Sequence, residues 1–162
     1  MTLPPRSGWL VAGASASFAL VILHFGIIVV GAPAYDYFLA GKQMVDSANE
    51  HSLVPTLVTG GVAGVFTFFG LFALAAAGFF ELPAARILAT VVGCIYTLRG
   101  LLIVPEAVMV RFIGRPPRAL VFAAISLAIG IVHLVGVARR WHLMGESQPG
   151  VTSRDSQTEV NR

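Results

Sequence analysis

Residues 9–32 of the chain read WLVAGASASFALVILHFGIIVVGA, and residues 55–80 read PTLVTGGVAGVFTFFGLFALAAAGFF. Neither stretch contains a charged residue. An α-helix rises about 1.5 Å per residue, so about 20 apolar residues cross the hydrocarbon core of a bilayer. Both stretches are long enough to span a membrane, and they decide the fold class.

Two further apolar stretches follow, at about residues 86–104 and 119–138. Prolines fall where the chain should turn, and only a short segment separates the second stretch from the third, which predicts an antiparallel hairpin. The prolines are Pro33, Pro55, Pro83, Pro105 and the pair Pro116-Pro117. We predict an all-α, integral membrane four-helix bundle in residues 1–142.

Composition agrees with a membrane protein. Hydrophobic residues make up 56% of the chain and charged residues only 12%, whereas soluble domains carry about 25% charged residues. The basic residues are scattered at the ends of apolar stretches, so the net charge of +3 indicates no nucleic-acid partner. The predicted partner is the lipid bilayer, with a second membrane protein or a homo-oligomer as further options. Cys94 is the only cysteine, which excludes an internal disulfide, and we expect it to be buried.

The segments between and after the spans carry different patterns. Residues 34–52, AYDYFLAGKQMVDSANEHS, place apolar residues near helical spacing, which predicts a short amphipathic helix on the outer surface. Residues 106–118 mix apolar residues with arginines, as interfacial segments do. Residues 143–162 are polar and lack aromatic residues, which predicts a disordered tail.

The tryptophans bear on topology. Trp9 and Trp141 fall at the same interface if the number of spans is even. Basic residues close to the spans divide almost evenly between the two sides, so the positive-inside rule adds little. We predict that both termini are cytoplasmic.

Small residues predict how the helices pack, because helices in lipid associate through close packing and polar contacts. Three faces should point into the bundle: Gly13, Ser17, His24 and Gly31 in the first span, the GxxxG pair Gly60 and Gly64 in the second, and Ser126, Gly130 and His133 in the fourth.

Arg99 is the most informative residue, because an arginine within a span costs several kcal/mol unless it snorkels or finds a partner. It lies about 6 Å from the middle of its span toward the outer side, as His24 does in the first span. Glu106 follows seven residues later on nearly the same face. We therefore hypothesise an outer-half ligand site that combines His24, Tyr96, Arg99 and Glu106, roofed by Tyr35, Asp36 and Tyr37.

Two structural alternatives stand beside that site. Arg99 would snorkel outward and pair with Glu106 or Asp36 as a clamp. His133 lies about 7 Å toward the inner side, so haem ligation together with His24 is disfavoured. We expect His133 to form a hydrogen bond between helices instead.

Motifs for metal binding, phosphate binding or hydrolysis are absent from the four stretches. Three functions remain. The first is a non-catalytic accessory subunit or a binder of a lipophilic ligand, where an arginine and tyrosines suit a quinone or lipid head group. The second is a small membrane enzyme acting on such a lipid or quinone, with His24 as acid or base. The third is a purely structural interaction module.

The chain resembles uncharacterised small four-span proteins of the bacterial inner membrane. The resemblance rests on His24-Phe25-Gly26, on residues 34–41 (AYDYFLAG) and on Leu98-Arg99-Gly100-Leu101 before Pro105. It covers most of the chain except the tail. It implies a bacterial inner-membrane location and no particular activity.

Overall fold

A computed structural model describes residues 6–142. That range is α-helical, without a strand. Its helices are α1 (Gly8–Val30), α2 (Ala32–Tyr37), α3 (Lys42–Asn49), α4 (Val54–Ala77), α5 (Ala85–Leu101), α6 (Ile103–Ile113) and α7 (Arg118–Arg140). The tail predicted for residues 143–162 lies outside the described residues.

Four segments are long and apolar enough to cross a membrane: α1, α4, the consecutive pair α5 and α6, and α7. Helix α1 packs against α4 and α7, and α5 packs against the same two helices. The cross-section is therefore a ring in the order α1, α4, α5, α7, with α1 diagonal to α5 and α4 diagonal to α7. The predicted all-α four-helix bundle is confirmed.

The outward faces of these helices are apolar. Val29 is 85% exposed, Leu98 69% and Phe68 59%. Water would make such a continuous apolar surface unfavourable, whereas hydrocarbon is its natural solvent. The chain is thus a multi-pass integral membrane protein.

The helix ends follow from local sequence. Helix α4 ends in a left-handed Gly78 (φ 90°), and the N–H of Phe79 returns to the carbonyl of Leu74 at 3.2 Å. This is a Schellman ending, in which glycine avoids the strain of a side chain at positive φ. Pro105 would clash with the carbonyl of Leu101 in a continuous helix, and α5 does end at Leu101. The third span, predicted for residues 86–104, is longer than expected, because the candidate span runs over Ala85–Ile113. It includes helix α6, which forms most of the segment predicted as interfacial.

The predicted amphipathic helix between the first two spans is two helices, α2 and α3. Gly41 (φ 97°) separates them. Tyr35, Ala34 and Ile27 form a buried cluster, against which apolar residues of α3 pack, including Met44 and Val45. The two short helices therefore cover the end of α1.

Small-residue packing occurs in part where the sequence predicts it. A Cβ added at Gly130 would lie 2.6 Å from the backbone nitrogen of Thr97, and one added at Gly100 would lie 2.4 Å from the Cα of Leu127. These contacts bring α5 and α7 into backbone contact, as glycine permits in membranes. The prediction is wrong for Gly31, Gly60 and Gly64, because a Cβ at each of these positions meets open space.

Cys94 is a second correction. It is exposed on the surface of α5, not buried as its apolar surroundings in the sequence suggested. The sequence places Cys94 inside a span, but only the packing of α5 decides which side of the helix meets lipid.

Candidate functional site

The centre of the bundle holds a polar contact between diagonal helices. The hydroxyl of Tyr96 on α5 lies 3.0 Å from the hydroxyl of Ser17 on α1. Ser17 donates its proton to the carbonyl of Gly13 at 3.1 Å, so Tyr96 is the donor to Ser17. Tyr96 is 3% exposed and Ser17 is 0% exposed. The pair is a satisfied polar link in an apolar core.

His133 lies beside this link and is fully buried. Its ring centroid is 5.4 Å from that of Tyr96, and a Cβ at Gly13 would approach its Cε1 to 2.7 Å. Its Nδ1 is 2.9 Å from the carbonyl of Ile129 and therefore carries the proton. Its Nε2 is buried without a hydrogen-bond partner among the described residues.

Among residues 6–142, the expected hydrogen bond from His133 to another helix is therefore absent. Its one bond returns to α7, because the carbonyl of Ile129, four residues back, is within reach of Nδ1. Contact with α1 and α5 is by packing alone. The depth count also set His133 apart from the predicted outer-half site that includes Tyr96, whereas the structure places the rings of His133 and Tyr96 in contact.

His24 lies on α1, half-buried. Its Nδ1 is 2.7 Å from the carbonyl of Leu20, and its ring centroid is 5.0 Å from that of Phe66. Phe66 in turn stacks on Tyr96, with 6.0 Å between centroids. Phe66 thus lies between His24 and Tyr96, and the two predicted site residues share an aromatic neighbour without touching each other through a polar bond.

Arg99 is exposed on the outer surface of α5. Within residues 6–142 it forms neither a salt bridge nor a side-chain hydrogen bond. Its neighbours along the chain, Leu98 and Leu101, are 69% and 54% exposed. Arg99 therefore presents its charge to the surroundings of the bundle rather than to its interior.

The carboxylates that might have neutralised Arg99 lie elsewhere. Glu106 pairs with Arg115 at 3.1 Å. Asp36 is exposed and has no ion pair within the described range. Neither form of the proposed Arg99 clamp is present among residues 6–142.

The predicted roof residues divide between two places. Tyr35 is 3% exposed, and its hydroxyl accepts a hydrogen bond from Thr59 of α4 at 3.2 Å. Tyr37 is 55% exposed, and its backbone carbonyl accepts from the Nε of Arg118 at 2.8 Å. Tyr35 therefore ties α2 to α4, while Tyr37 ties the same short helix to the start of α7.

The seven predicted site residues are thus not joined by direct contacts into one site. Tyr96 lies in the core, His24 is separated from it by Phe66, and Arg99 is outside. All seven residues lie either at the centre of the bundle or in the half that is nearer to α2 and α3, and they have nothing else in common. Periodicity gave the depth of each residue, but the rotation of each helix about its axis depends on packing.

Arg140 is the residue that sequence reasoning missed. It is 6% exposed, and its Nη1 donates to the carbonyls of Ala76 and Ala77 at the end of α4. A Cβ at Gly78 would lie 3.2 Å from the same Nη1. The signal was the glycine ending of α4, which leaves carbonyls without intrahelical donors, together with a basic residue at the end of α7.

Residues 6–142 bring together no group of three His, Cys, Asp or Glu side chains able to hold a metal ion. Comparison with protein-family models, with curated proteins and with solved structures finds no match to the chain. The class that fold and site define is a small four-span integral membrane protein.

Proposed function

We propose that the protein is a non-catalytic membrane protein, an accessory subunit or a binder of a lipophilic ligand, and that Arg99 holds the ligand's polar head. The observation that carries this proposal is the exposed guanidinium of Arg99 on an apolar helix face, without an acidic partner among residues 6–142. Because Arg99 lies inside the candidate span Ala85–Ile113, its charge needs an anionic or polar partner.

The head group of a quinone or of an anionic lipid would supply that partner. Arg99 lies in the last turn of α5, close to the level where Pro105 interrupts the helix. An arginine donates in a planar fork, which suits carbonyl, carboxylate and phosphate oxygens. The exposed leucines around Arg99 would contact the apolar part of the same molecule.

A structural interaction module is the second candidate, and one observation favours it. The glycines at 60, 61 and 64 have open space above them, so this face of α4 does not serve packing within the bundle. Its closely approachable backbone suits contact with another membrane helix. A membrane enzyme that uses His24 as acid or base is the remaining alternative.

We further propose that the protein lies in the bacterial inner membrane with both termini cytoplasmic. Within residues 6–142, the end of the bundle that contains Arg6 and Trp141 has four arginines and one acidic residue. The opposite end has five basic and four acidic residues. Counted over the whole sequence, the side of both termini has six arginines, the four at the first end together with Arg154 and Arg162. The other side has four basic residues outside the spans predicted from the sequence, a small difference that favours a cytoplasmic location of the termini.

Native mass spectrometry of the full chain, gently extracted from its own membrane, tests the ligand proposal. We expect the wild type to retain a small molecule that Arg99→Leu loses, while Arg111→Leu, which removes another exposed arginine from α6, retains it. A wild type without a bound molecule, beside an equally stable Arg99→Leu variant, would contradict the proposal. If the bound molecule is also converted to a product, and His24→Ala loses this turnover, the result would favour the enzyme.

A further inference from the structure

A second cationic region lies at the opposite end of the bundle from Arg99. Helices α1 and α5 begin there, and α4 and α7 end there. We call this region the arginine end and define it by its four arginines, Arg6, Arg86, Arg139 and Arg140. Glu81 is the one acidic residue at this end within residues 6–142, and it pairs with none of them.

Three of these arginines lie over aromatic rings. The Cζ of Arg6 is 4.3 Å from the ring centroid of Phe79. The Cζ of Arg86 is 4.3 Å from the ring of Trp141, and that of Arg139 is 5.4 Å from the ring of Trp9. A ring face attracts the cation but does not accept its hydrogen bonds, so the N–H donors stay available to an acceptor.

The fourth arginine gives an independent indication of a binding site. Arg140 is 6% exposed, and its Nη1 is occupied by the carbonyls of Ala76 and Ala77. Its Nε is buried and has no hydrogen-bond partner among the described residues. A nearly buried guanidinium without an acidic partner is unfavourable, and an anion at this end would supply the missing countercharge.

The start of α5 adds local N–H donors at this end, whereas the C-terminal ends of α4 and α7 offset the partial positive charges of the two helix starts. Helix α5 begins at Ala85 without a side-chain cap, in the same turn as Arg86. The N–H groups of a helix N-terminus and its partial positive charge favour an anion. Meanwhile the tryptophans at this end are residues that settle at the level of lipid head groups.

We propose that the arginine end binds the phosphate of an anionic phospholipid from the adjacent leaflet. Arg86 and Arg139 contact the phosphate oxygens through their free N–H edges, and Arg140 adds charge from below. Arginine binds phosphate oxygens through two parallel N–H groups. An anionic phospholipid should bind more tightly than a zwitterionic one, because the arginines repel the ammonium group of a zwitterionic head group. The proposal is independent of Arg99, which lies at the other end of α5.

Lipid titration of the purified full chain tests this site. The probes are phosphatidylglycerol and phosphatidylcholine of identical acyl chains, added to delipidated protein and counted by native mass spectrometry. The variant is Arg86→Gln/Arg139→Gln. The control is Lys42→Gln/Arg111→Gln, which also removes two positive charges, but from exposed positions at the opposite end.

We expect wild type and control to bind one phosphatidylglycerol more tightly than phosphatidylcholine. The Arg86→Gln/Arg139→Gln variant should lose about fivefold in affinity for each arginine removed, the usual effect of a basic residue near an anionic surface. Added salt should reduce the preference, because the interaction is electrostatic. An unchanged thermal midpoint in the absence of lipid shows that the variant is folded.

Three results would overturn the proposal. One is equal affinity of the wild type for the two lipids. Another is equal loss in the control, which would indicate a general charge effect. The last is an equal rise of the thermal midpoint with inorganic phosphate and with phosphatidylglycerol, which would identify a site for free phosphate instead of a lipid site.

Discussion

The hydroxyl of Tyr96 lies 3.0 Å from that of Ser17 and joins α5 to α1 across one diagonal of the bundle. Arg140 bonds the end of α4 and joins α7 to α4 across the other diagonal. Neighbouring helices pack through apolar and small residues, whereas the diagonal pairs are connected by directed hydrogen bonds. Each link requires its two helices to face each other across the bundle.

Removing the Tyr96 hydroxyl should weaken the fold modestly. We expect Tyr96→Phe to lower the free energy of unfolding by about 0.6–1.5 kcal/mol, the value of a hydrogen bond between membrane helices. Ser17→Ala in the Tyr96→Phe background should add little, because the partner is already lost. Unfolding in mixed micelles measures all three variants. Fully additive losses would show that the two hydroxyls are not coupled.

Substitution of Arg140 should destabilise the C-terminal end of α4. In Arg140→Leu the carbonyls of Ala76 and Ala77 lose a charged donor, and we expect a loss of about 2 kcal/mol. The neighbouring Arg139 is exposed, so Arg139→Leu should cost about 1 kcal/mol or less. Hydrogen exchange near Gly78 should rise only in the Arg140 variant. Equal stability of the two variants would rule out the capping role.

Alanine substitutions at two glycines should change the free energy of unfolding in opposite directions. At Gly130 an added methyl group would meet the backbone of Thr97, so Gly130→Ala should destabilise by about 1–3 kcal/mol. At Gly64 there is open space, so Gly64→Ala should stabilise by about 0.5–1 kcal/mol through helix propensity. The free energy of unfolding of the two variants, measured on the monomer, tests both predictions. A destabilising Gly64→Ala would restore the sequence-based prediction that this face is packed.

The surface helix α3 offers a test of local electrostatics. The Nζ of Lys42 is 2.7 Å from the carboxylate of Asp46, and this hydrogen bond raises the pKa of Lys42 above its ordinary value. Asp46→Asn should bring that pKa down, as measured by NMR titration of the Lys42 side chain. Because Lys42 is fully exposed, the overall stability near neutral pH should not change. A pKa that stays raised in Asp46→Asn would place its cause elsewhere.

Several features were predictable from local sequence. The absence of charge in residues 9–32 and 55–80 sufficed for two spans, because burying backbone in hydrocarbon requires a helix. Pro105 predicted an interruption of the helix but not its position, because α5 ends at Leu101 and the candidate span continues through α6 to Ile113. The pattern around Lys42 and Asp46 predicted helical structure on the surface. Each of these depends on neighbours within a few turns of the chain.

The candidate site was predictable only in depth. A count along a helix places Arg99 in the outer half of its predicted span, but the side of α5 on which it lies depends on the contacts of α5 with α7. Those contacts are set by Gly100 and Gly130, which allow close approach of the backbones. Arg99 was left outside as a result, and Tyr96 was turned toward Ser17.

The sequence by itself determined the number of membrane helices, their approximate ends and the composition of their surfaces, because these follow from hydropathy, length and backbone constraints. Only the tertiary structure decided which polar residues meet. Ser17 and Tyr96 are 79 positions apart, and Arg140 is 63 positions from Ala77. Such contacts depend on the rotation and order of whole helices, which no local pattern specifies.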